Sequence, residues 1–562
     1  MIKRAFVALL LTALGLLGCS EDQKFEASNQ TDTSGPVAKS GAAWEVWSVD
    51  NAWSDTDTAA AKKAGLAWGE NSGLTWEEKF DRWVGGLETM PSESGWGQTI
   101  SITTPFGDKK LPAPTLECAE VAIFLRVAFA SWYHLPFYLR GWDSETKQAV
   151  FAGHFGFVNA AGNGVGKFPR FKEKYKDHEK TWKPGDAWPS DTVLRGRRLG
   201  DDDTVAFLTG PNGEEVGAGA YFDEIFLNKR TGHFMRLILL YFGSVNLADG
   251  SNMFHVAPEA ASAGDVLLER WQKKGIGHTI PLLRVTSPLE GKLAIEAISG
   301  SMPRRQPRYD EPMQARSYFT LDATGGEGVA GDGTPYAKLG GGLRRWRTAT
   351  KVGGKWVNKV SKADESVAIA NSDVDAIAAR PARFDEILLS GSPEEQEAAL
   401  VAAIQNARHH LSEHPASCSA RENRENAFRS LGALASQLGT TKDELEKKHR
   451  TLDDYVFGAL VYEDSKTCCW NSTTPAMAEI VLDYARAEKE AADEEGMCVE
   501  PTVFRSRADG YELWRAHAQK LGREADWLAW SEDEPCAQRD VAEDTIASFD
   551  GKSYCSISAG AP

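Results

Sequence analysis

Cys118 opens the segment Cys118-Ala-Glu-Val-Ala-Ile-Phe-Leu-Arg-Val-Ala-Phe-Ala-Ser-Trp132, and much later His278 follows a glycine at the head of an apolar run. A thiol in the first turn of a helix is a candidate nucleophile, because the amides exposed there favour its thiolate. An imidazole on a facing strand can take the thiol proton and return it to a leaving group. Glu296, within Leu293-Ala-Ile-Glu-Ala-Ile298, is the candidate that orients this imidazole. The three residues are the nucleophile, base and orienter of a thiol acyl-transfer site.

Local signals define the elements that must carry them. A proline pair, Pro112 and Pro114, holds the chain extended, and the helix is expected to start at Thr115, leaving Cys118 in its first turn. Val121, Phe124, Leu125, Val127, Ala128 and Trp132 make it apolar almost all round, so it should run through the middle of a domain. Gly264-Asp265 reads as a turn into a strand, a short polar turn follows, and Gly277 admits His278 at the head of a second strand. Leu293 to Ile298 is a third strand. Alternation places Glu296 on the face opposite Ile295, and three adjacent antiparallel strands are expected to bring Glu296 beside His278.

In this order, the Cys118 helix ending in Leu135-Pro136, the Gly264-Asp265 strand and Gly277-His278-Thr279 resemble the papain-like cysteine peptidases and amidases of the bacterial cell wall, the NlpC-type and CHAP families. The resemblance covers residues 110 to 305. It implies an α+β, papain-like core with a helix packed on a small antiparallel sheet. It also implies that Cys118 attacks an amide carbonyl, that His278 is general base and then acid, and that Glu296 orients the ring. Cys118 and His278 are 160 residues apart because residues 141 to 257 form an extra segment. A second assignment keeps the same nucleophile. Cys118-Ala-Glu-Val-Ala, Arg126, His134-Leu-Pro and Gly153-His154-Phe-Gly-Phe-Val158 are similar to a bacterial transglutaminase-type domain, which would make His154 the partner and leave Asp186 or Asp191 as orienters. The complete strand context of His278 favours the first.

The N-terminus carries a different chemistry. Lys3 and Arg4 precede the apolar stretch Ala5 to Leu14, and Leu16-Leu17-Gly18-Cys19 resembles a bacterial lipobox. The resemblance implies removal of residues 1–18 and acylation of Cys19, with enough chains for a stable membrane anchor. Ser20 is consistent with sorting to an outer membrane, so the expected location is the cell envelope. Residues 19–43 read as a flexible tether, rich in Ser, Thr, Gln and Gly. No later stretch reaches membrane length. Phe234 to Leu247 is short and interrupted by Arg236, which makes it a buried helix.

Acidic residues exceed basic ones by 17, which argues against nucleic acid as a partner and against anchoring through a basic surface. Membrane attachment through lipid, and peptidoglycan or an envelope protein, are the expected partners. Seven tryptophans crowd into residues 44–96, a density suited to a glycan-binding surface but more often to core packing. Asp201-Asp202-Asp203 lacks the spaced oxygens of a calcium loop, the cluster His409, His410 and His414 lacks completing ligands, and Gly340 to Gly342 lacks the lysine of a phosphate loop. No metal or organic cofactor is implied.

Six cysteines, Cys418, Cys468, Cys469, Cys498, Cys536 and Cys555, fall in the last third and read as three disulfides in an exported domain, leaving Cys118 reduced. The expected organisation is a catalytic domain over 44–310, a β- and loop-rich connector over 311–380, and a disulfide-stapled helical domain over 381–562. Apolar residues at three- and four-residue spacing mark its helices at Pro393, Asn426 and Met477.

Overall fold

The computed structural model describes residues 25–26, 33–39, 41–56, 72–107, 109–273, 277–458, 460–461, 473–504, 511–527, 545–546 and 553–558. Cys19, Cys468, Cys469 and Cys536, with the acylation and pairings expected of them, lie outside these residues. The chain is a mixed α+β protein of two compact units, Met1–Leu388 and Leu389–Pro562. No described helix is long and apolar enough to cross a membrane.

The first unit is built on a seven-stranded sheet of β1 (Met253–Val256), β2 (Val266–Arg270), β3 (Gly277–Leu289), β4 (Lys292–Ser299), β5 (Arg308–Asp310), β6 (Gly342–Trp346) and β7 (Ala368–Ile369). Its spatial order is β5-β4-β3-β2-β6-β1-β7, antiparallel throughout. Alternation along the strands gives the sheet two apolar faces. Val266, Leu268, Leu283 and Ile298 join the main core, which also contains helix α1 (Trp76–Gly85), helix α2 (Cys118–Trp132) and helix α3 (Lys229–Tyr241). Leu267, Ile280, Leu282, Ile295 and Ala297 pack instead with helix α4 (Pro312–Phe319) and helix α5 (Arg380–Ile387).

All fifteen residues of α2 are buried, as its all-round apolar sequence requires. The helix begins at Cys118, three residues after the expected start. Glu117 is its N-cap, and the Glu120 carboxylate accepts the Glu117 amide at 2.8 Å, so the carboxylate three residues on, and not Thr115, marks the entry. The tryptophan-rich stretch is mainly core: Trp47, Trp53, Trp76 and Trp83 are buried. Phe234 lies within the buried helix α3, as its sequence suggested.

Two boundaries differ from the sequence reading. Ser34–Val37, assigned to the tether, is a strand paired with Lys355–Lys359, and Gly35 makes this approach possible because a Cβ there would sit 2.6 Å from the Tyr138 ring. The expected connector also belongs to the first unit. Leu343 and Trp346 are buried on opposite faces, which inserts β6 between β2 and β1, and α5 closes the second face through Phe384 and Ile387.

The second unit is helical. Ser392 and Glu395 form a capping box at the head of Pro393–Glu413, and Cys418–Leu434 and Pro475–Glu494 are further long helices. Cys498 and Cys555 are joined by a disulfide.

Candidate functional site

The N-terminal end of α2 meets the first residues of β3. Cys118 is buried, and its thiol donates to the Gly277 carbonyl at 3.7 Å. The His278 imidazole is hydrogen-bonded to the same sulfur. Gly277 is required at this junction because a Cβ would lie 2.6 Å from the Glu269 carbonyl oxygen and 2.7 Å from Arg270 Nη1. A side chain there would push β3 away from β2 and carry His278 off the sulfur.

Burial by itself would drive protons off the His278 ring. The hydrogen bond to Cys118, the charge of Cys118 and the charge of Glu269 outweigh it, while Arg305 opposes them, and the net effect raises the imidazole pKa above its ordinary value. The protonated ring is thus the favoured partner of an ionised sulfur. A second cation lies close: Arg270 is buried, donates to Ser244 Oγ at 3.1 Å, and has its pKa pushed down to about 10 by burial, with the Cys118 charge acting in the other direction.

Behind the nucleophile, Arg304 clasps the helix entry. It bonds Glu120 at 2.8 Å, Glu117 at 3.2 Å and Asp202 at 2.8 Å. Burial raises the Glu120 pKa despite the opposing Arg304 charge, so the carboxyl that caps the helix depends on this guanidinium. The Leu116 amide donates to the Arg305 carbonyl at 2.8 Å, tying the chain before Cys118 to the segment after β4. The amides of the first turn have no intrahelical carbonyl partner, which suits them to a developing oxyanion.

Glu296 is not brought to His278. In register it faces Arg284, to which it is bonded, and Arg284 is six residues along β3 from His278, roughly 20 Å at strand rise. Arg284 also donates to the carbonyls of Gly85 and Leu87 at 2.9 and 2.7 Å, so Glu296 serves an ion pair that ties the sheet to the end of α1. The carboxylate beside His278 is Glu269, its direct cross-strand partner between β2 and β3. The pairing was encoded in the hairpin of Val266–Arg270 and Gly277–Leu289, whose register sets Glu269 opposite His278.

Nor is His154 brought to Cys118. It lies in the turn between strands Gln148–Gly153 and Gly156–Val158, with Nδ1 2.9 Å from the Phe137 carbonyl oxygen. Phe137 follows the C-terminal end of α2, and a fifteen-residue helix is about 22 Å long. Burial lowers the His154 pKa to about 4 against the favourable Phe137 hydrogen bond. The transglutaminase-type orienters are committed elsewhere: Asp191 caps a short helix by accepting the amides of Val193 and Leu194, and Asp186 accepts the Lys183 amide at 2.9 Å.

The acidic run 201–203 also has structural partners. Asp202 meets Arg304, and the buried Asp203 accepts the amides of Leu199 and Ala218 at 2.6 and 2.9 Å. Among the described residues no group of three or more His, Cys, Asp or Glu side chains could hold a metal ion. Comparisons with family models, with curated proteins and with solved structures found no match to this chain.

Proposed function

We propose that the first unit is a thiol-dependent hydrolase or acyltransferase, in which Cys118 is the nucleophile and His278 the general base and acid. The observation that carries this reading is the hydrogen bond between the His278 imidazole and the Cys118 sulfur at the N-terminal end of a buried helix. The sulfur attacks an amide carbonyl and forms a C–S bond. His278 delivers the proton to the departing amine as the C–N bond breaks, leaving a thioester on Cys118. Water resolves the thioester to an acid, or an amine acceptor resolves it to a new amide, with His278 removing the proton of the incoming nucleophile. Glu269 replaces Glu296 as the orienting carboxylate.

The papain-like resemblance and the lipobox-like Cys19 extend this reading to a lipid-anchored enzyme of the cell envelope acting on peptides, those of peptidoglycan among them. A retained fold without catalysis, serving as an envelope scaffold, is the competing reading. Intact-protein mass spectrometry separates the two. Incubation with a peptide aryl ester should add one acyl group, on Cys118, and Cys118→Ala should abolish it. Absence of any adduct in the folded wild-type chain would favour the scaffold.

A further inference from the structure

At the other end of α2 the first unit encloses a cavity of about 1280 Å³, lined by residues between Ala38 and Asp364 and remote from Cys118. His154 lines it, 4% exposed, and its Nε2 has no hydrogen-bond partner. Buried ring nitrogens are seldom left so, because an unmet polar atom away from water destabilises the fold. Trp356, half-buried on the strand Lys355–Lys359, lies beside this histidine with ring centroids 4.4 Å apart and lines the same space.

The charges of the wall are largely matched within the protein. Glu77 is held by Arg126 at 2.7 Å, Glu45 by Lys172 at 2.6 Å, and Arg345 by Asp265 at 2.7 Å and Asp364 at 2.5 Å. Asp81 adds a carboxyl that accepts from Ser262 Oγ at 2.8 Å. Burial, then the charges of Asp265 and Glu77, raise its pKa to about 8 against Arg345 and the Ser262 hydrogen bond, so at neutral pH it is largely a neutral donor. Hydroxyl and amide groups of Ser48, Asn51 and Thr350 complete the lining.

We propose that this cavity binds an oligosaccharide. A sugar hydroxyl both donates and accepts, so it satisfies His154 Nε2 in either tautomer, and the apolar face of a pyranose fits the Trp356 indole. An ionic ligand would meet walls whose charges are already paired, and a purely apolar one would leave Asp81 and His154 unmet. The volume exceeds the roughly 300–1,000 Å³ of sites for drug-sized molecules, which calls for more than one sugar ring.

Calorimetric titration of the full chain with chitotetraose, cellotetraose and maltotetraose tests this. At least one should bind saturably. Trp356→Ala and His154→Phe should each weaken that binding at least tenfold, and Cys118→Ala should leave it unchanged within twofold, which keeps the result separate from the fate of the thiol chemistry. Circular dichroism checks each variant's fold, and if Trp356→Ala unfolds, His154→Phe decides. Failure of all three sugars to saturate the folded wild type, or binding indifferent to His154→Phe, would overturn the proposal. So would a tetrapeptide that binds with this dependence on His154 while the sugars do not.

Discussion

The two ends of helix Cys118–Trp132 each meet a histidine, and the two rings behave in opposite ways. At the N-terminal end, His278 faces the Cys118 sulfur and Glu269, and the balance of burial against these partners raises its pKa. Beyond the C-terminal end, His154 has the Phe137 backbone and a surround of Trp47, Phe155 and Trp356, and burial lowers its pKa to about 4. Burial acts in the same direction on both. What differs is whether an anionic group stands within reach, so the same residue type is poised for proton transfer at one end and held neutral at the other.

The largest expected effect tests that contrast at the sulfur. Cys118 should react with iodoacetamide near pH 6.5 far faster than a model thiol, whose thiolate fraction there is about 1%. His278→Ala should lower the labelling rate roughly hundredfold, because the imidazolium that stabilises the thiolate is gone. His154→Phe should change it less than twofold. A reversed ranking would move the partner to His154, and indifference to both would return Cys118 to a structural role.

The pH dependence of stability sharpens the comparison further. His154 is protonated more readily in the unfolded chain than in the fold, so its contribution is present above the ordinary histidine value and is lost as pH falls from about 6.5 toward 4. A histidine so placed contributes stability of order 3 kcal/mol. His134 has the opposite sign. Its hydrogen bond with Glu179 leads, burial opposes, and further help from Asp50 leaves its pKa raised to about 9. Its contribution is therefore present below about 6.5 and fades as pH rises through 9, with a magnitude nearer 1 kcal/mol because the ring is partly exposed. Urea unfolding from pH 4 to 10 should show His154→Phe flattening the acid limb and His134→Ala the alkaline limb. An unchanged acid limb in His154→Phe would mean that this ring is not held neutral by burial.

The sequence was most legible where local rules coincide. The all-round apolar run of α2, the Gly264-Asp265 turn and the glycine before His278 each specify a backbone event within a few residues, and the helix and three strands appear near their expected positions. The helix start was missed because Glu117 and Glu120 make the cap, with Arg304, nearly two hundred residues on, holding the carboxylates. The extent of the sheet was also hidden. β6 and β7 come from the presumed connector, and such long-range pairings leave no mark on the local pattern. Within the site, alternation gave the correct face relation between Glu296 and Ile295 but said nothing of how far along β3 the carboxylate would fall.

That last point yields the smallest and most discriminating effect. Glu269 and Glu296 are both strand carboxylates one strand away from β3, and only register separates them: Glu269 is opposite His278, and Glu296 is opposite Arg284. Glu269→Gln should slow Cys118 labelling about three- to tenfold, since an amide keeps the shape but not the charge that favours the imidazolium, and water and backbone replace part of an orienting group. It should also shift the alkaline limb of the labelling profile to lower pH, a response that a merely structural carboxylate would not give. Glu296→Gln should leave both rate and profile unchanged while destabilising the fold by about 1 kcal/mol, because Arg284 keeps its bonds to Gly85 and Leu87 but loses its charged partner. If Glu296→Gln moved the profile and Glu269→Gln did not, the hairpin register would be wrong at the site itself, and the orienting carboxylate would return to the β4 strand.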